Sequence, residues 1–99
     1  MWVLSILDMM TDEEIFEQQK RLINLQSTLV VKVVTKIGEH AWEVSCEFTV
    51  SDLVDLVFIA TNEKGKIFCN GSQLDPRLML GFVRLYIWRK IDLLTLELG

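Results

Sequence analysis

The chain has 99 residues, enough for one domain with a modest core. Hydrophobic residues make up 51% of it, yet no apolar run approaches the roughly 20 residues that a membrane span needs. Ten basic against fourteen acidic residues give a net charge of -4, which repels phosphate backbones and anionic lipid and argues against nucleic acid or a membrane as the main partner.

Residues 1–10 begin with the largely apolar Met1–Leu7, which lacks the basic flank and small-residue cleavage site of a signal peptide. They read as an N-terminal extension or lead, and residues 11–99 as a single α+β domain. The clearest helix start is Thr11-Asp12-Glu13-Glu14, a capping box in which Thr11 and Glu14 satisfy each other's backbone amides. Early acids and the later Lys20 and Arg21 suit the helix dipole. Ile15, Phe16, Gln19, Leu22 and Ile23 share one face, which predicts a helix over 12–25.

The hydrophobic period then changes to two. Leu29, Val31, Val33 and Ile37 line one face of a first strand, and Trp42, Val44, Cys46 and Phe48 line one face of a second. A four-residue loop over 38–41 is predicted, because it sets Lys36 opposite Glu43 and Lys32 opposite Glu47. A two-residue Gly38-Glu39 loop forfeits both pairs. A third strand is predicted over 54–61, then a turn at Asn62–Gly65 with Gly65 free to take positive φ, then a fourth strand over 66–69. Asp75-Pro76 has the chemistry of a helix opening and predicts a helix over 76–90. Gly81 within it costs up to ~1 kcal/mol relative to alanine. Residues 91–98 read as a final strand from Leu94 or as more helix. The expected fold is an α+β layout: N-terminal helix, four-stranded antiparallel meander, C-terminal helix and a final strand in one of two readings.

No phosphate-binding glycine loop, zinc-protease helix or nucleophile elbow occurs. The single histidine, His40, falls in the predicted hairpin loop and reads as a solvated turn residue rather than a general base. Cys46 and Cys69 lack zinc-site spacing and lie in apolar stretches, so they read as buried, reduced thiols of a cytoplasmic protein. The expectation is a protein that is not an enzyme and holds no metal or cofactor.

The informative feature is an apolar surplus. Beyond one apolar sheet face, the predicted opposite face still holds Val30, Val34, Val57, Ile59 and Phe68, rimmed by charges. The predicted C-terminal helix adds Arg84, Tyr86 and Trp88, the residue types of interface hot spots. These eight residues are the candidate interface of a small acidic protein-protein interaction module, self-associating as a homodimer or holding a partner protein. In layout and charge it is similar to secretion chaperones, small helix-then-meander proteins that dimerise and hold a partner segment. The alternative is a small apolar ligand in a pocket between sheet and helix.

Overall fold

The Thr11 capping box is formed. The Glu14 amide donates to Thr11 Oγ1 at 3.3 Å, and the Thr11 amide donates to Glu14 Oε1 at 3.4 Å. The computed structural model describes residues 11–22, 28–90 and 92–99. Helix α1 is Asp12–Leu22. Its expected continuation through 23–25, like the extension 1–10, lies outside the described residues. As the periodicity predicts, Ile15 and Gln19 are buried and Phe16 is half-buried.

Strands β1 (Thr28–Thr35) and β2 (Gly38–Ser45) form the expected hairpin, but they turn at Lys36 and Ile37 rather than over 38–41. Trp42 therefore lies opposite Val31 instead of Ile37. Thr35 fixes this turn: its hydroxyl donates to the Gly38 carbonyl at 3.1 Å and accepts from the Ile37 amide at 3.3 Å. The register shift is an even number of residues, so the paired side chains of 29–34 and 42–44 keep their expected faces. Ile37, expected on the core face, falls in the turn instead and is 68% exposed. Val31 and Val33 point into the core with Leu29, Trp42 and Val44 against them. Lys32 finds Glu39, at 3.1 Å, in place of Glu47. His40 becomes a strand residue opposite Val33, stacked on Trp42 at 5.9 Å, and is not in a loop.

The predicted third strand is a helix, α2 (Val50–Thr61). Val54, Val57 and Ile59 favour strands by composition, but local capping chemistry decides otherwise. Thr49 Oγ1 accepts from the Asp52 amide at 3.1 Å, and Asp52 Oδ2 accepts from the Thr49 amide at 3.0 Å. At the other end Asn62 takes φ 60 and donates its amide to Phe58 O. Helical spacing then buries Val50, Leu53 and Val57 together. Thr49→Ala is expected to lower stability by about 1 kcal/mol, seen as a lower urea midpoint with unchanged slope.

Positive φ in the following turn thus belongs to Asn62, not Gly65. Gly65 is needed for a close approach instead: a Cβ there would lie 2.5 Å from the Gly99 carbonyl oxygen. Strand β3 (Ile67–Cys69) turns through Asn70 and Gly71, both at positive φ, into the short β4 (Ser72–Gln73).

Asp75-Pro76 makes a turn rather than a helix start. The Asp75 carboxylate accepts from the Arg77 amide at 2.9 Å, and its carbonyl accepts from the Leu78 amide at 3.1 Å. Residues 76–80 then hydrogen-bond to the stretch before and into α2, through Ser51 N to Pro76 O, Val50 N to Leu78 O and Leu80 N to Phe48 O. Helix α3 begins only at Leu80 (Leu80–Phe82) and widens into a π-helical segment, Val83–Trp88. Arg89, at φ 55, ends it. The tail forms β5 (Leu94–Leu98), the strand reading of the two.

β5 enters the middle of the sheet. The strand order is β2-β1-β5-β3-β4, with β5 parallel to β1 and antiparallel to β3. The sheet is mixed, and the meander expected from sequence is absent. Among the described residues this is an α+β fold of three helices and a five-stranded sheet. One cluster joins Val31, Val33, Leu53, Val57, Ile67, Leu94 and Leu96 between the sheet and α2.

Candidate protein-interaction surface

Alternation along β1, β3 and β5 sends every second side chain away from that cluster. The pairings place Glu39, Val34, Glu97, Phe68 and Gln73 in one row across all five strands. Beside this row run Ala41, Lys32 and Thr95, and then Glu43 opposite Val30. The outer face therefore carries Val30, Val34 and Phe68 among glutamates. Val30 is 42% exposed, and Val34 and Phe68 are half-buried. Part of the Phe68 burial comes from Gly99, which exchanges two 2.9 Å backbone hydrogen bonds with Lys66 and lies so close to the ring that a Cβ would be 2.9 Å from it. Glu39, Glu43 and Glu97 outnumber Lys32 and Lys66, and Lys32 is already paired with Glu39. The face is apolar and acidic.

Of the eight residues singled out by sequence, the structure brings Val30, Val34 and Phe68 onto this face. Val57 and Ile59 leave it, because their segment is helical. Val57 is fully buried in the core, and Ile59 is 81% exposed on α2. Trp88 is buried, with its indole N–H donating to the Asp92 carbonyl at 3.2 Å and Lys90 over the ring at 4.6 Å. Tyr86 stays exposed, its ring 4.9 Å from Phe82, while Arg84 donates to the Lys90 carbonyl. The C-terminal segment is thus a second, separate exposed group rather than part of one interface. Sequence reasoning passed over Thr95 and Glu97, since nothing local announces that the last strand inserts between β1 and β3.

Burial pushes the thiols of Cys46 and Cys69 up, and for Cys69 the opposed charges of Lys90 and Glu97 add smaller effects. Both are free, buried and protonated at neutral pH, hence poor nucleophiles. Arg77 beside Asp75 holds that carboxyl below its ordinary range, despite burial acting the other way. The core cluster lies between the sheet and α2. A shallow depression of about 230 Å³ lies elsewhere, lined by Lys36, Glu63, Lys64, Leu98 and Gly99. Among the described residues no cluster of His, Cys, Asp or Glu is placed to hold a metal, and no helix is long and apolar enough to cross a membrane.

No protein-family model and no curated protein matches the chain. Solved structures do. One, from work on molecular mimicry of SUMO promoting DNA repair, is 14% identical with a TM-score of 0.58, covering 77% of this chain and 95% of its own. A protein designed on the basis of ubiquitin is 22% identical, also at 0.58, covering 75% and 89%. The ubl5 domain from the polyubiquitin locus of T. thermophila is 18% identical, again at 0.58, covering 74% and 93%. At these identities the likeness is one of fold, and that fold is ubiquitin-like.

Proposed function

We propose that the chain is a small, non-catalytic protein-interaction module that engages a partner protein through the outer face of its sheet, around Val34 and Phe68. The observation that carries this reading is the row in which Glu97 stands between those two apolar side chains on a rigid ladder. Val30 beside it is left 42% exposed. A wet sheet face with no binding role needs no such apolar residues. The fold it shares with SUMO- and ubiquitin-related structures supports an interaction role in general.

The charge of the face selects the partner's chemistry: an apolar projection flanked by Lys or Arg, which Glu43 and Glu97 attract. A second copy of the chain is less well matched, because stacking two such faces brings like charges together. The helix-then-meander layout behind the secretion-chaperone likeness is absent, and the reading does not depend on it.

Affinity capture from the source cell with wild-type, Val34→Glu and Ile59→Glu baits tests the proposal. Wild-type and Ile59→Glu baits are expected to retain the same proteins, and Val34→Glu to lose them by at least about tenfold. Equal retention by Val34→Glu and wild type would refute the outer face as the binding surface. A concentration-dependent dimer in light scattering that Val34→Glu abolishes would replace the heterologous partner with a second copy.

A further inference from the structure

The charges of this acidic chain are unevenly placed. Arg84, Arg89 and Lys90 are three of its ten basic residues, and Asp92 is the one acid within residues 80–93. The segment that carries them is a well-tied knob. The Arg84 guanidinium donates to the Lys90 carbonyl, the Trp88 indole N–H donates to the Asp92 carbonyl at 3.2 Å, and Arg89 at φ 55 ends the π-helical turn. Phe82, Val83 and Trp88 anchor it in the core. Leu85 projects from it, 54% exposed, with the exposed Arg89 and Lys90 one helical turn further on.

An exposed leucine among cations is the chemistry that the outer sheet face selects, where Val34 and Phe68 are apolar and Glu43 and Glu97 are acidic. Two such faces repel each other, and so do two such knobs. A knob meeting a face joins opposite charges around an apolar contact. The two surfaces also look in different directions. Val83 and Trp88 pack in one cluster with Val31, Val33, Leu94 and Leu96, so the knob stands on the core side of the sheet. Val34 and Phe68 point away from that cluster. A folded chain therefore cannot bring its own knob to its own outer face, and the pairing is left to a second copy.

We propose that the Leu85 knob of one copy docks on the Val34–Phe68 face of the next, so that copies of the chain associate head to tail. The inference rests on the outer-face reading and names, from the chain's own chemistry, an occupant for that face. The contact is heterologous: every added copy leaves one face and one knob open at the ends, so it builds a series or a ring rather than a two-fold dimer. A partner protein bound to the same face competes with it.

Light scattering of the full chain across a wide concentration range tests it. The average mass of the wild type is expected to rise past twice that of the monomer, and to fall back as salt is raised, because the attracting charges are exposed. Val34→Glu blocks the face and Leu85→Glu blocks the knob, so each variant alone is expected to stay monomeric. Mixed in equal amounts, they hold one intact face and one intact knob between them and are expected to form a pair of twice the monomer mass. Circular dichroism checks that both are folded; Lys90→Glu, which reverses a charge on the knob, replaces Leu85→Glu if that variant is not. A wild type that is monomeric throughout, a mass that stops at a dimer, or an equimolar mixture that remains monomeric overturns the inference. Affinity capture separates that failure from failure of the outer-face reading. Proteins retained by wild-type and Leu85→Glu baits and lost by Val34→Glu leave the outer face standing even if the wild type never self-associates, whereas retention by all three baits removes both.

Discussion

Replacing Val57 with glutamate is expected to unfold the chain, whereas Val34→Glu leaves it folded. Val57 is fully buried with Leu53, Ile67, Leu94 and Leu96, so a carboxylate there is either desolvated or forced to bind a proton. The cost exceeds about 4 kcal/mol, enough to consume the stability of a domain at the low end of the roughly 5–15 kcal/mol expected at this size. Val34 faces outward, and a longer side chain there reaches water. Its neighbours Glu39 and Glu97 add a few tenths of a kcal/mol of like-charge repulsion, keeping the total near 1 kcal/mol. Circular dichroism and urea unfolding check both. A cooperative native state in Val57→Glu, or an unfolded Val34→Glu, contradicts the assignment of faces.

Gly81→Ala is expected to destabilise the chain by about 1–3 kcal/mol, opposite in sign to what helix propensity alone predicts. In an ordinary helix interior alanine gains up to ~1 kcal/mol over glycine. Here Gly81 donates its amide to the Cys46 carbonyl at 3.0 Å, and a Cβ would lie 2.7 Å from Cys46 Cβ and 3.0 Å from that carbonyl oxygen. Backbone atoms on both sides must separate to admit a methyl group. The urea midpoint of the variant decides the sign: a fall supports the close approach of α3 to Cys46, and a rise rejects it.

What was legible in the sequence was local. The Thr11 capping box and the period-two pattern of 29–34 and 42–44 fixed α1, the β1–β2 hairpin and the inward set Val31, Val33 and Trp42. The outward pair Val30 and Val34 followed from the same alternation, which an even register error does not disturb. Phe68 reaches that face through its pairing with Glu97 of β5 and not through the third strand expected over 54–61. The register itself was misread because pairwise charge matching outweighed Thr35, whose hydroxyl closes the tighter turn. Residues 54–61 were misread because valine and isoleucine suggest a strand. Thr49-x-x-Asp52 was the available signal for the helix, with aspartate in the position usually held by glutamate. Two features could not be read locally at all. The insertion of β5 between β1 and β3 depends on long-range pairing, which also places Glu97 on the candidate site. The fate of Asp75-Pro76 depends on Phe48–Ser51, which claims the backbone groups that a helix would otherwise use.

Hydroxyl-radical footprinting of the chain alone and saturated with a captured partner tests the interaction surface most directly, because its aromatic residues report separate regions. Phe68 reports the outer sheet face, Phe58 the exposed side of α2 and Tyr86 the C-terminal segment. Binding through the sheet predicts strong protection of Phe68, with Phe58 and Tyr86 labelled as in the free chain. Protection of Tyr86 or Phe58 with Phe68 unchanged would contradict it and move the interface to the C-terminal segment or to α2.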